Sequence, residues 1–355
     1  MKKRVIISGG GTLGHILPII PVIIDIYEKY DLYFIGTKKG MEKSYFQNND
    51  YNKCFKQLYF LDMEGINRKN VFKNINVFYK YYVIRKKLKN IYKNLKPDLV
   101  IGMGGYISGV AINIANRNNI KTIIHEQNAV MGLANKLVYK KVNKVLLSYD
   151  ILNINNKILV GNPRYSFIKE NYKSKEKNEI LIVGGSLGSD FINNLIIDNI
   201  ENLDLYDNKI KLVTGKRYYN NNKEKINKTI INHKTISIYP FLNNLIEEMS
   251  KATLIISRSG ATTISEIIGL SKPAILIPSP NVTGNHQYKN AVDLYSKKCC
   301  LLIEEKDLSI DKLNESIRLI ITNYSYKKQM MHNLDNYYQN NPKIDFIKII
   351  EEELC

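Results

Sequence analysis

Tryptophan is absent from this 355-residue chain, and its four cysteines, Cys54, Cys299, Cys300 and Cys355, show no ligand spacing. The adjacent pair is poorly placed for a mutual disulfide, so neither a disulfide scaffold nor a thiolate metal site is expected. The histidines, His15, His125, His233, His286 and His332, lack zinc spacing as well. No Asp-x-Asp pair is present to hold a metal on a sugar nucleotide, and no glycine-rich turn ends in Gly-Lys-Ser/Thr, which excludes a P-loop. Long apolar runs are also missing. The most apolar stretch, 16–26, contains Pro18, Pro21 and Asp25, and the run behind Met1-Lys2-Lys3-Arg4 stops after Val5-Ile6-Ile7. Neither suits a membrane span or a signal peptide. Together these absences predict a cytoplasmic protein with metal-independent chemistry and no cofactor.

Acidic residues are missing from 65 to 97, a stretch that carries ten lysines and arginines, among them Lys73, Lys80, Arg85 and Lys86. The net charge of +19 reflects mostly a composition crowded with Lys, Asn, Tyr and Ile, so its distribution is more informative than its sum. Val71, Ile75, Phe78 and Tyr82 fall on one helical face, with Tyr79 beside them. Aromatic groups ringed by cations suit an anionic bilayer surface; the competing reading is a helix whose apolar stripe is core and whose lysines are solvated. Nucleic acid is not expected, because no recognisable binding motif accompanies the patch.

What the chain does contain is glycine-rich turns, each between an apolar strand and an apolar-periodic helix. Val5-Ile6-Ile7-Ser8 runs into Gly9-Gly10-Gly11-Thr12-Leu13-Gly14-His15, and Ile180-Leu181-Ile182-Val183 runs into Gly184-Gly185-Ser186-Leu187-Gly188-Ser189. Leu254-Ile255-Ile256-Ser257 leads through Arg258-Ser259-Gly260 into Ala261-Thr262-Thr263-Ile264-Ser265-Glu266. At such junctions free amide groups and the positive end of a helix dipole meet an anion, and a carboxylate such as Glu266 can accept both hydroxyls of a ribose. The pattern predicts an α/β protein of two Rossmann-like doubly wound parallel-sheet domains facing a cleft. Strands are expected at 4–8, 31–36, 98–102, 121–125 and 144–148, then at 180–183, 210–214, 235–238, 253–257, 274–277 and 300–303. The first half should carry helices at 16–29, 41–48, 71–94, 107–117 and 132–141. The domains should span 1–163 and 179–342, joined by a linker at 164–178, with a helix over about 343–355 packing back on the first.

Gly9-x-Gly11-x-x-Gly14 formally matches the dinucleotide fingerprint. That fingerprint wants an acid at the tip of the second strand, and here the strand ends in Gly36-Thr37-Lys38. A nicotinamide cofactor is therefore not expected.

The ordered motifs resemble those of the MurG family, the peptidoglycan N-acetylglucosaminyltransferases that convert lipid I to lipid II. Besides the three turns they include Gly102-Met103-Gly104-Gly105-Tyr106-Ile107-Ser108-Gly109, His125-Glu126-Gln127-Asn128, Gly132-Leu133-Ala134-Asn135-Lys136, Gly161-Asn162-Pro163-Arg164 and Gln287-Tyr288-x-Asn290-Ala291. The resemblance covers nearly the whole chain and implies the GT-B architecture. It implies a UDP-N-acetylglucosamine site in which Ser186 and Arg164 contact the diphosphate, Glu266 the ribose and the backbone near Leu242 the uracil. Ala261, Thr262, Thr263, Ile264 and Ser265 would line the helix N-terminus, and Gln287 would read sugar hydroxyls. Thr12, Leu13, Gly14 and Asn128 would close over the sugar, while Gly10, Gly11, Gly104 and Gly105 would face the acceptor's pyrophosphate.

The implied chemistry is an inverting β-1,4 transfer, for which His15 is the candidate base and Glu126 a weaker alternative; His15 as a clamp and His125 as a packing residue are the plainer readings. The implied partners are the UDP-sugar, lipid I, the anionic cytoplasmic face of the membrane (which gives weight to 65–97) and other wall-synthesis proteins. Three departures stand out: Leu13 where glycine is frequent, Pro21 inside the first helix, and Arg164 directly after Pro163. A diacylglycerol glycosyltransferase, a nucleotide-sugar epimerase or a non-catalytic membrane-surface partner are the alternatives.

Overall fold

The structure, a computed structural model, describes residues 1–63, 74–185 and 188–355, with only the backbone described at 74–78. The chain forms two compact units, one of residues 1–166 with 340–355 and the other of 167–339.

The first unit is built on seven strands: β1 (Arg4–Ser8), β2 (Asp31–Thr37), β3 (Gln57–Leu61), β4 (Leu99–Gly102), β5 (Lys121–Glu126), β6 (Lys144–Leu147) and β7 (Lys157–Leu159). All pair in parallel in the order β3-β2-β1-β4-β5-β6-β7. Both faces of the sheet are covered, as a parallel sheet requires. Val5 and Ile7 point into one core, with Ile19, Ile23, Phe34, Phe346 and Ile350. Ile6 points into the other, with Ile84, Leu88, Val100, Ile107 and Ala111. The C-terminal helix Pro342–Leu354 covers the first face.

The second unit repeats the plan with β8 (Glu179–Val183), β9 (Lys209–Val213), β10 (Ile236–Tyr239), β11 (Leu254–Ser257), β12 (Ala274–Leu276) and β13 (Leu301–Leu302). These are also parallel, in the order β10-β9-β8-β11-β12-β13. Two doubly wound parallel-sheet domains in tandem make this a GT-B fold.

Several expected elements differ. Strands β3 and β7 are additional; they are the two sheet edges, and β7 is only three residues long with a half-exposed pattern that gives little periodicity. The helix expected over 16–29 is a 3-10 turn, Leu13–His15, followed by irregular turns and a short helix, Ile20–Ile26. Pro21 therefore lies in a first helical turn, where its missing N–H costs nothing, and does not kink a longer helix. The helix expected over 132–141 is one turn, Leu133–Lys136, and a 3-10 turn, Tyr139–Lys141. The stretch 164–178 is half helical, because Pro163 opens a helix that runs to Asn171. The remainder is tied to the second unit by Lys175 N–H to Ser250 C=O at 2.8 Å and Lys177 N–H to Lys251 C=O at 2.7 Å.

Candidate functional site

In each unit the glycine turns emerge at the strand-order reversal, the place where open α/β sheets bind ligands. In the first unit Ser8 pairs with Gly102, so the turns after β1 and β4 leave the sheet side by side. They are in direct contact: Gly10 N–H donates to Gly104 C=O at 3.3 Å, and a Cβ on Gly105 would lie 2.3 Å from the Gly10 carbonyl oxygen. His15 Nδ1 lies 2.9 Å from that same carbonyl. A carbonyl only accepts, so Nδ1 carries a proton, and in the neutral ring it is Nε2 that has the lone pair. The imidazole edge with Nε2 lies over Gly104, where an added Cβ would meet Cδ2 at 2.7 Å.

The underside of the first turn holds a residue that no sequence motif marks. Glu42 is fully buried. Its Oε1 accepts from Thr37 N–H at 2.7 Å and Thr37 Oγ1 at 2.6 Å, and its Oε2 accepts from Gly11 N–H at 3.0 Å. An acid does attend the tip of β2, five residues beyond it. With Gly9 N–H bonded to Ile35 C=O, the amides of Gly9, Gly10 and Gly11 are all committed inside the protein.

At the tip of β5, Glu126 is 3% exposed and saturated with donors. Oε1 accepts from Asn128 N–H at 3.1 Å and Asn128 Nδ2 at 3.2 Å; Oε2 accepts from Gly132 N–H at 2.8 Å and Asn135 Nδ2 at 3.0 Å. The carboxylate folds the loop 127–132 and orients the Asn128 amide. His125 is fully buried, edge-on to Phe346 at 5.4 Å, with Nε2 3.0 Å from Gly161 C=O and Nδ1 3.2 Å from Gln127 Nε2. Burial pulls its pKa from 6.5 down to about 4, against the opposing Gly161 bond.

A depressed histidine pKa has a definite consequence for acid stability. Both states are neutral above pH 6.5, and the unfolded state alone binds the proton between 6.5 and about 4. Stability is thus full above pH 6.5 and falls as pH drops through that window, by on the order of 3 kcal/mol. Thermal melts from pH 7 to 4.5 are expected to show this loss in the wild type and a shallower one in His125→Gln. Equal slopes would assign the acid sensitivity to other groups.

In the second unit Ser257 pairs with Val183, which sets the turns after β8 and β11 side by side. The helix Ala261–Leu270 follows Gly260, an N-cap residue that supplies no side-chain bond to the first-turn amides. Thr262 Oγ1 is buried without a hydrogen-bond partner among the described residues. Thr263 is half-buried and Ile264 buried. Ser265 Oγ bonds back to Ala261 C=O at 2.8 Å, so its hydroxyl stays within its own helix. Glu266, one turn further on, is 5% exposed. Gln287 Oε1 accepts from Ser279 N–H at 2.8 Å, which directs its NH₂ group away as a donor. Leu242 is half-buried beyond the tip of β10.

Arg258 is a second residue without a sequence-based assignment. Its guanidinium is buried and donates to Ile277 C=O at 3.1 Å, Pro278 C=O at 3.0 Å and Ser189 Oγ at 2.6 Å, and it pairs with Glu305. It ties together the segments that follow β8, β11, β12 and β13. Arginine in a small-residue turn after a strand was the available signal.

Other expected positions divide between the units. Ser186 and Lys73 lie outside the described residues. Arg164 is 8% exposed at the start of the helix Pro163–Asn171, in the first unit, with its N–H bonded to Asn162 Oδ1 at 3.0 Å. The basic helix runs Asn74–Leu95, and Ile75 and Phe78 fall in its first turns. Its buried face is Ile84, Leu88 and Tyr92, whereas Tyr79 and Tyr82 are 71% and 55% exposed. The core stripe and the aromatic stripe are thus different faces. Lys86 lies over the Tyr82 ring at 4.9 Å, and Lys80 pairs with Asp62 at 3.2 Å. Among the described residues no helix is long and apolar enough to cross a membrane, and no cluster of three or more His, Cys, Asp or Glu is placed to hold a metal.

The glycosyltransferase family 28 N-terminal domain matches residues 5–147, and the family 28 C-terminal domain matches 179–349. A UDP-N-acetylglucosamine–N-acetylmuramyl-(pentapeptide) pyrophosphoryl-undecaprenol N-acetylglucosamine transferase from Lactobacillus johnsonii is 35% identical over 348 residues, covering 92% of both chains. The enzyme of the same description from Bacillus subtilis is 34% identical over 343 residues, covering 92% of this chain and 93% of its own. Among solved structures, MurG of Acinetobacter baumannii superposes with a TM-score of 0.75 over 99% of both chains at 24% identity. A putative UDP-N-acetylglucosamine 2-epimerase from Listeria monocytogenes superposes at 0.71 over 99% of this chain and 96% of its own at 11% identity, a likeness of fold alone.

Proposed function

The chain belongs to glycosyltransferase family 28 and to its MurG group, and from that premise we propose how its residues divide the work. The enzyme is a UDP-N-acetylglucosamine-dependent hexosyltransferase of peptidoglycan synthesis that glycosylates lipid I to give lipid II. The acceptor's 4-hydroxyl attacks the anomeric carbon, the bond from that carbon to the diphosphate oxygen breaks, and UDP leaves with the bonding pair. The hydroxyl proton passes to His15 Nε2. The observation that carries this assignment is the Nδ1 bond to Gly10 C=O, which leaves Nε2 as the accepting atom. Glu126 is the poorer base, because its oxygens are held by four donors from its own loop and the helical turn that follows; its role is to hold Asn128.

The donor's diphosphate is met by the first-turn amides at Ala261–Thr263, by Thr262 Oγ1, by Ser186 and by Arg164. Glu266 takes the ribose, the backbone near Leu242 the uracil, and the NH₂ of Gln287 the sugar. Ile264 and Ser265 shape the helix and do not touch the ligand through their side chains. Thr12, Leu13, Gly14 and Asn128 close over the transferred sugar. Since the Gly10 and Gly11 amides are committed elsewhere, and the Gly104 amide donates to Ser108 Oγ at 3.3 Å, the acceptor's pyrophosphate is met at the Gly104-Gly105 turn by the Gly105 amide and the first amides of the helix Tyr106–Arg117. Exposed Tyr79 and Tyr82, with Lys86 and Arg85 beside them, seat the enzyme on the anionic cytoplasmic surface of the membrane.

The test is transfer of labelled N-acetylglucosamine from its UDP donor to a lipid I analogue, with EDTA present and diacylglycerol as a control. Product on the lipid I analogue alone is expected. Product only on diacylglycerol would keep the fold and change the substrate; loss of product in EDTA would bring in a metal.

A further inference from the structure

Glu42 stands behind the first glycine turn, and its role rests on the reading of His15 as the base. A carboxylate with no exposure to water is costly unless its lone pairs are filled, and here they are filled by the tip of β2 and by the first glycine turn. Three glycines make room for it. A Cβ on Gly10 would lie 2.5 Å from Glu42 Oε1, one on Gly40 2.0 Å from Oε2, and one on Gly36 2.9 Å from Cγ. The chain thus gives up side chains at two positions against the carboxylate and at a third, Gly36, between the Glu42 stem and the Phe34 ring. A short relay leads on to the reacting centre: the peptide group that joins Gly10 to Gly11 gives its N–H to Glu42 at 3.0 Å and offers its C=O to His15 Nδ1 at 2.9 Å. Gly11 has a φ of +91° and nothing near it on its open side, so the bond to Glu42 is what anchors the crest of the turn.

We propose that Glu42 is a positioning residue for the glycosyl transfer, which fixes the first glycine turn so that the Gly10 carbonyl holds His15 in its Nδ1–H tautomer, Nε2 toward the acceptor. Glu42 touches no substrate. The carboxylate is required as such, because it presents only acceptors to three donors. In Glu42→Gln the amide oxygen can serve Thr37, but its NH₂ group then faces the Gly11 N–H, donor against donor.

The experiment compares wild type, E42Q, H15A and the E42Q/H15A double variant in the full-length protein. Hydrogen exchange of the peptide spanning 9–15 reports the turn independently of catalysis. E42Q is expected to speed exchange there at least fivefold, to lower kcat on a lipid I analogue about tenfold to a hundredfold, and to leave the UDP dissociation constant within twofold. The double variant is expected to be no slower than H15A, since Glu42 acts through His15. Unchanged exchange in E42Q, or rate losses that multiply in the double variant, would overturn the proposal. So would a drop in melting temperature with unchanged kcat per folded molecule, which a purely structural carboxylate predicts. Full activity in H15A would instead remove the base assignment, and faster exchange at 9–15 in E42Q would still show separately whether the carboxylate holds the turn.

Discussion

Replacing His15 with alanine is expected to lower kcat by about 10²- to 10⁴-fold, the contribution typical of a positioned base, while leaving UDP affinity unchanged. The separation follows from where the groups lie. His15 belongs to the first unit and bonds to the glycine turn there, whereas the uncapped helix at Ala261, Thr262 Oγ1, Glu266 and Gln287 belong to the second. Isothermal titration with UDP and single-turnover transfer to a lipid I analogue measure the two quantities separately. The substitution also empties the space over Gly104, so the loss should persist in His15→Gln, which refills it and bonds Gly10 C=O without supplying a base. Recovery of the rate in His15→Gln would show that the residue clamps the turn and does not accept the proton. Loss of UDP binding in His15→Ala would make the role structural.

How much of this is legible in the sequence depends on the range of the interaction. The glycine turns, the strands that precede them and the parallel order are local features: an apolar run, a small-residue turn and a periodic helix specify each unit within about thirty residues. The edge strands β3 and β7 escape such a reading because a strand paired on one side only is shorter and less apolar, and the irregular start of the first helix does so because Pro18 and Pro21 permit several endings. In the site, His15, Glu126, Asn128, Glu266 and Gln287 can be named from motifs, but not what each one bonds. The four donors on Glu126 come from up to nine residues away, and the partner of Glu42 is thirty-one residues distant. Arg258 reaches Ser189 across sixty-nine positions. No periodicity encodes such pairs. The second-strand acid is invisible at the strand tip itself; it arrives from the start of the next helix, where Gly36 and Gly40 clear its path.

The contact between the two glycine turns leads to the largest expected effect on folding, in Gly105→Ala. Gly105 and Gly11 both have positive φ, +83° and +91°, and an L-residue at either incurs backbone strain of about 1–3 kcal/mol. Their surroundings differ. A Cβ on Gly11 meets nothing within 4 Å, whereas one on Gly105 lies 2.3 Å from Gly10 O, 3.1 Å from Gly10 C and 3.3 Å from Gly10 N. Backbone cannot rotate away as a long side chain can, so the turns after β1 and β4 must separate. That breaks the Gly10–Gly104 bond and moves the carbonyl that holds His15. Gly105→Ala is therefore expected to lose roughly 3 kcal/mol or more, strain and overpacking combined, and to cut kcat at least tenfold in whatever fraction folds. Gly11→Ala should incur only the strain and retain most of the activity. Denaturant melts of the two variants beside their kcat values decide the matter: equal destabilisation would mean that the turns yield to each other freely, and that His15 does not depend on their contact.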